Sequence, residues 1–332
     1  MDTAFACLRD SLSRTNPIAL ETLTAKIKPQ LCRRDRRSQT GGTVMRRVSF
    51  WPTLVLLCSV MPICASAQSF SQVPGQLTSI SVGGTPAGAA AVWGINSAQN
   101  IFEFDGMAFQ NIPGSLTQIA VDGDTVWGIN ANGSIYKLDP DQARFVQIPG
   151  NLSQIAAHGG ATWGIDANQN VYQYDGTAFV QVPGKLTQIA VDGPAVWGIN
   201  ASQNVFVFSE IAINNNTVER GFRQIPGSLT AIAVGGQGTE VWGINANQNV
   251  FRLDPSSLSF VNVPGKLISL AVGGPLLGPI GVWGINANQN IFVFDFSSQQ
   301  FEQVPGQLTQ ISVFGLVVWG INANQNVFRL GF

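Results

Sequence analysis

One tetrapeptide governs what this chain can fold into. Trp-Gly-Ile-Asn, with Asp for Asn once, begins at Trp93, Trp127, Trp163, Trp197, Trp242, Trp283 and Trp319, at intervals of 34 to 45 residues. A second marker, Val or Ile before Pro-Gly, places its proline at Pro74, Pro113, Pro149, Pro183, Pro226, Pro264 and Pro305. Both markers count to seven. Repeats of this length are single supersecondary units that bury their apolar faces only by stacking on neighbours.

The cleanest unit shows what a repeat is made of. Leu186 to Val191 and Val196 to Asn200 are β-forming runs separated by Asp192 to Ala195. Val205 to Phe208 and Phe222 to Ile225 are two more short runs of β-branched and aromatic residues, bounded by Asn, Gly and Pro. Four strands of about five or six residues leave about a dozen residues per unit for connections, which suits hairpin loops and leaves no room for a helix.

The expected fold is therefore all-β: a seven-bladed β-propeller of four-stranded antiparallel blades over residues 68–332, an architecture in which radial repetition leaves only short, protected edges. The ends of the repeat region add to this. It opens with a lone fourth strand, Phe70 to Val73, and finishes on a third strand, Val327 to Leu330, with no fourth after it. The N-terminal strand is expected to complete the last blade. A β-helix would have no reason to start and stop at complementary points of its unit.

Insertions mark two kinds of connection. Gly83 to Ala91 and Gly273 to Gly281 lengthen the loop between first and second strands, and Ser209 to Gly221 lengthens the loop between third and fourth. Antiparallel geometry puts both kinds on one face of the ring. The other face is expected to carry the near-identical Pro-Gly connections and the Asn-rich turns.

The region before the repeats reads differently. Arg46 and Arg47 precede an apolar run from Val48 to Cys64, which is broken by Pro52 and Pro62 and ends in Ala65, Ser66, Ala67. This pattern makes residues 45–67 a signal peptide cleaved after Ala67, and the run falls short of the roughly 20 apolar residues of a spanning helix. Even a retained run would leave the repeats outside, by the positive-inside rule. Residues 1–44, Arg-rich at Arg33, Arg34, Arg36 and Arg37 and without hydrophobic period, read as a non-native or disordered extension. The expected localisation is secreted or periplasmic, with no stable membrane insertion after cleavage.

Cys7, Cys32, Cys58 and Cys64 all precede the cleavage point, so the exported part relies on no disulfide. Charge divides at the same boundary: residues 1–67 hold 10 of the 18 Lys and Arg but 4 of the 19 Asp and Glu. The repeats are left acidic. A nucleic-acid partner needs a basic footprint, which they lack.

Signs of catalysis are few. The one histidine, His158, lies in a Gly-rich stretch without a nucleophile motif, and reads as a solvated loop residue. Asp105, Asp139, Asp175, Asp254 and Asp295 each follow a third strand and read as turn residues. Asp122, Asp124 and Asp192 do not have the number and spacing of a calcium loop. No catalytic residue, metal or cofactor is expected, and the chain is not expected to be an enzyme.

The repeated motif offers the candidate ligand-binding positions: Trp93 with Asn96, Trp127 with Asn130, Trp163 with Asp166, Trp197 with Asn200, Trp242 with Asn245, Trp283 with Asn286 and Trp319 with Asn322. Two readings are open for each member. The indole either fills the gap between blades or leaves an apolar platform for a sugar ring at a blade edge. The amide either organises a hairpin turn or presents donors and an acceptor to sugar hydroxyls.

The Trp-Gly-Ile-Asn strand, the Asn-rich turn and the Val-Phe strand together resemble the tectonin repeat family, over all seven units from Phe70 to Phe332. That family includes propeller lectins that recognise microbial surface glycans, among them lipopolysaccharide and methylated sugars. Several are six-bladed, whereas this sequence counts to seven, so no exact pocket is carried over. The resemblance implies sugar binding. The expected function is an exported, multivalent, lectin-like propeller that meets glycans or glycoconjugates on a surface. The alternative is an exported scaffold that binds cell-envelope proteins through its variable loops.

Overall fold

The computed structural model describes residues 68–84, 90–214, 217–274 and 280–331. The expected signal peptide, the extension before it and all four cysteines lie outside the described residues. Among the described residues, twenty-eight strands, numbered β1 to β28 in chain order, form seven separate four-stranded antiparallel sheets. Blades 1 to 6 are consecutive strands over residues 79–115, 118–151, 154–185, 188–228, 231–266 and 269–307. Blade 7 is composite. Its outer strand is β1 (Ser69–Gln76), which pairs with β28 (Asn326–Gly331), Phe70 opposite Leu330 and Val73 opposite Val327.

The first strands of the blades stand side by side in a closed cycle: β2 (Ser79–Gly84) touches both β6 (Gln118–Asp122) and β26 (Gln310–Phe314). Their free edges face a central channel of about 270 Å³ with small side chains such as Ser81, Ala156 and Ala233 on its wall. Glutamines satisfy part of these edges. Gln118, Gln154, Gln188 and Gln310 each accept, through Oε1, the backbone N–H of the next blade's inner strand, from Ile155, Ile189, Ile232 and Ile80 at 2.7 to 3.1 Å. A buried edge N–H left unpaired is costly, so each amide both seals a seam and sets the register between blades.

The core lies between blades and repeats like the sequence. Trp163, Ile165, Val171 and Leu186 pack with Val191 and Val196, and Phe206, Phe208 and Phe222 of blade 4 close over them. The glycine of each motif is needed for this packing. A Cβ on Gly198 would lie 2.3 Å from Leu186 Cδ1 and 2.9 Å from the Gln188 carbonyl, and Gly128 and Gly164 meet Leu116 and Leu152 in the same way. That leucine follows Pro-Gly, so the two sequence markers are in contact.

Two segments differ from expectation. Pro-Gly is not a connection outside the sheet but a bulge within the outer strand: in β1 the register shifts between Val73 and Gln76. Proline lacks an N–H and fits an edge strand at a bulge, and the glycine after it takes positive φ, 141° at Gly75. The insertion from Ser209 to Gly221 is not a loop either. It prolongs β16 (Asn204–Asn214) and β17 (Thr217–Ser228) in continuous pairing, Glu210 opposite Arg220, with an Arg220 Nε–Glu210 contact of 2.7 Å.

Candidate functional site

The tryptophans do not form platforms. All seven motif indoles are 0 to 5% exposed, and each meets aromatic rings of the next blade edge-on. Trp163, for example, lies 4.7 Å from Phe208 and 6.0 Å from Phe222, centroid to centroid. Edge-to-face pairs of this kind add about 0.5–1.5 kcal/mol to the burial of the rings. The gap-filling alternative is the one observed, because both faces of a blade are covered by its neighbours.

The first amide of each turn is a structural organiser. In blade 4, Asn200 Oδ1 accepts N–H bonds from Ser202 and Asn204 at 3.0 and 2.9 Å, and its carbonyl accepts from Gln203. The same pair of bonds recurs at Asn96, Asn130, Asn245, Asn286 and Asn322. Each is a turn closed by a residue in the left-handed region, which in six blades is glutamine, as at Gln203 with φ 65°, and in blade 2 is Gly133.

Blade 3 departs from this pattern and forms a cleft. Asp166 keeps the turn bonds, to Asn168 N and Asn170 N at 2.8 Å, and uses Oδ2 to accept from Asn170 Nδ2 at 2.7 Å and from the Tyr172 hydroxyl at 3.2 Å. Desolvation pushes this carboxyl up, but the hydrogen bonds from Asn170, Asn168 and Tyr172 outweigh it and hold the pKa below the usual aspartate value. Tyr172 moves the other way: desolvation, then the charge and hydrogen bond of Asp166, raise its phenol. The cleft beside them holds about 310 Å³ between blades 2 and 3, with Asp166, Asn168, Asn151 and Tyr172 as polar lining and Ile135, Leu152 and Phe179 as apolar lining. This is the lower end of the range for small-molecule sites. It lies on the face of the Asn-rich turns.

The opposite face holds a second cleft, of about 470 Å³, between blades 3 and 4, bordered by Gly160, Trp163, Gln173 and the base of the long hairpin at Ser209 and Glu210. Arg220 reaches from that hairpin to Gln173 Oε1 and stacks over Phe208.

His158 is not a solvated loop residue. It ends an inner strand, Gln154–His158, and its Nδ1 lies 2.5 Å from Oδ1 of Asp192, which is 1% exposed. Asp192 Oδ2 in turn accepts from Gln237 N and Gly238 N, so one carboxylate joins blades 3, 4 and 5. The aspartates after the third strands are turn residues: Asp105 Oδ1 accepts from Met107 N and Ala108 N, and Asp175 and Asp254 act alike. The N–H bonds from Ala108 and Ala178 lead in lowering the pKa of Asp105 and Asp175, and at Asp254 the Ser257 hydroxyl leads, followed by the Ser256 N–H.

Fold and clefts together define a repeat-built β-propeller with ligand-sized grooves between blades. The family model of the Tectonin domain matches residues 59–144, 141–275 and 253–331, and the chain belongs to that family. Two relatives come from Physarum polycephalum. Tectonin-1 is 43% identical over 61 residues, 18% of this chain and 28% of its own length. Tectonin-2 is 41% identical over 66 residues, 20% of this chain and 18% of its own. The chain thus spans less than a third of either relative. Among solved structures, YCF48 bound to D1 peptide is 12% identical with a TM-score of 0.57, over 81% of this chain and 97% of that one. YCF48 from Cyanidioschyzon merolae is 12% identical with a TM-score of 0.56, over 79% and 98%. At these identities the likeness is of fold alone.

Proposed function

We propose that this protein is an exported, non-enzymatic glycan-binding propeller whose best-formed sugar subsite is the Asp166 cleft. The observation that carries this reading is the lining of the cleft. An ionised carboxylate, a phenol and two amides stand beside apolar Ile135, Leu152 and Phe179, the combination a sugar needs for its hydroxyls and its C–H face. Export is supported by the basic, apolar and small-residue order of residues 45–67.

One shallow subsite binds a monosaccharide no better than about millimolar, about −4 kcal/mol. The turns recur seven times on one face, and several weak contacts with a surface bearing many sugars raise apparent affinity by about 10² to 10⁴. The second reading, a scaffold for a protein partner, is favoured by the long hairpin β16–β17 beside the 470 Å³ cleft on the other face. A glycan array on the purified protein separates the two. Binding of a defined sugar class supports the lectin, and a clean array beside a specific protein captured on the hairpin face supports the scaffold.

A further inference from the structure

In blade 5 an indole, a carboxylate and a guanidinium form a closed cluster. Trp242 Nε1–H donates to Glu240 Oε2 at 2.8 Å, and Arg252 donates to the same carboxylate from Nε at 3.0 Å and from Nη2 at 2.5 Å while stacking over the Trp242 ring. Glu240 is 7% exposed, so these are charge-assisted bonds shielded from water.

Blade 2 has the same frame without the carboxylate. Trp127 stands opposite Lys137 as Trp242 stands opposite Arg252. Lys137 Nζ is 5.3 Å from the Trp127 ring centroid, and Arg252 Cζ is 5.6 Å from that of Trp242. The two indoles are also turned alike. Trp127 meets Tyr174 and Phe179 at 4.7 and 5.6 Å, and Trp242 meets Phe294 and Phe301 at 4.7 and 5.8 Å, all edge-on. The position of Glu240, two residues before the tryptophan, is held in blade 2 by Thr125.

The consequence is a buried donor without an acceptor. Among the described residues Trp127 Nε1 has no hydrogen-bond partner, and their three ion pairs do not include Lys137. Buried polar groups are nearly always paired, so an orphan of this kind calls for a missing partner. In blade 3 the corresponding residues, Ala161, Trp163 and Gln173, border an open cleft toward blade 4, so in that blade the groove is open at this level.

We propose that Trp127 Nε1–H and Lys137 Nζ form a site for a carboxylate supplied by another molecule, which takes the place in blade 2 that Glu240 takes in blade 5. The ligand class is a carboxylate, carried by an acidic sugar or by an Asp or Glu side chain. The site belongs to the opposite end of the blade from the Asp166 cleft and does not rest on the glycan reading. A neutral sugar bound at Asp166 leaves it untouched, and its own failure leaves that reading standing.

The test is the indole N–H region of a ¹⁵N–¹H spectrum, in which Trp127→Phe identifies the resonance by its loss. D-glucuronate, D-glucose and a short glutamate-containing peptide are titrated to millimolar concentration. The Trp127 resonance should move downfield and saturate with a carboxylate probe and not with glucose. Lys137→Gln should weaken that binding at least tenfold. Glucuronate alone acting would mark an acidic sugar as the source, and the peptide alone would mark a protein side chain. Thr125→Glu rebuilds the blade 5 cluster and should both raise the melting temperature and block the titration. An unmoved resonance with both carboxylates, or a titration that Thr125→Glu leaves unchanged, overturns the proposal.

Discussion

Phe70 lies directly opposite Leu330 in the ladder that joins the two ends of the ring, and its ring stands edge-on 6.0 Å from Trp283 of the preceding blade. The first strand therefore closes both a sheet and an interblade core. Deleting residues 68–75 removes Phe70 and the buried Val73 and leaves the edge of β28 unpaired. At about 1.5–3 kcal/mol per buried apolar side chain the loss is about 3 kcal/mol or more, and thermal unfolding should fall by many degrees. An unchanged melting temperature would rule out this closure.

Gly198→Ala should destabilise the ring by about 1–3 kcal/mol, because its methyl would overlap Leu186 Cδ1 and approach the Gln188 carbonyl. Leu186→Ala on the same chain frees that space. In denaturant unfolding the double mutant should cost less than the two single changes summed. Strict additivity would mean that the two residues are not in contact.

The left-handed glutamines are strained, and the Gln203 side chain offsets this with one exposed contact, accepting from Ser228 Oγ at 3.3 Å. Gln203, at φ 65°, should be replaceable by glycine, the residue blade 2 already uses at Gly133, with a gain of up to about 1 kcal/mol in unfolding free energy. A loss on Gln203→Gly would show that the side chain contributes contacts that outweigh the strain.

How much of this was legible before the structure differs by element. The seven blades and their closure follow from the Trp-Gly-Ile-Asn and Pro-Gly markers and from the complementary ends at Phe70 and Leu330, because strand period and repeat count are local properties. The position of Trp197 was open, since alternation tells which way a side chain points but not that Phe260 of the next repeat covers it. Pro74 and the Ser209 to Gly221 stretch read as connections, because a bulge and a prolonged hairpin use the same residues as turns. His158 and Gln118 bond to groups in other blades, so nothing near them in sequence announced their roles. The Asp166 cleft had one signal, the change from Asn to Asp. Its other wall, from Ile135 to Leu152, comes from a different repeat.

His158 gives the ring a pH dependence of defined sign. Burial lowers its pKa, but the hydrogen bond and charge of Asp192, with the charge of Asp122, outweigh burial and raise it above 6.5. The Phe314 ring, 6.0 Å away, adds no charge. A folded-state pKa above the unfolded one gives stability that is fully present below about pH 6.5 and is lost as pH rises through the raised value. The melting temperature of the wild type should therefore fall, relative to His158→Asn, in the window above about pH 6.5, as pH rises through the raised value. A difference that stays flat across that window would contradict the His158–Asp192 clasp.

The central claim is that the Asp166 cleft binds sugar, and Asp166→Asn tests it most directly. Asparagine is the residue at this position in the other six blades, where its Oδ1 makes the same turn bonds, so the fold should be kept while the carboxylate is lost. The measurement is the affinity of wild type and Asp166→Asn for the glycans of an array, at equal melting temperature. Loss of one charge-assisted hydrogen bond, about 1.5 kcal/mol, predicts roughly tenfold weaker binding to a defined sugar class. A wild type that binds no glycan, or a variant that binds the same glycans as tightly, would contradict the account.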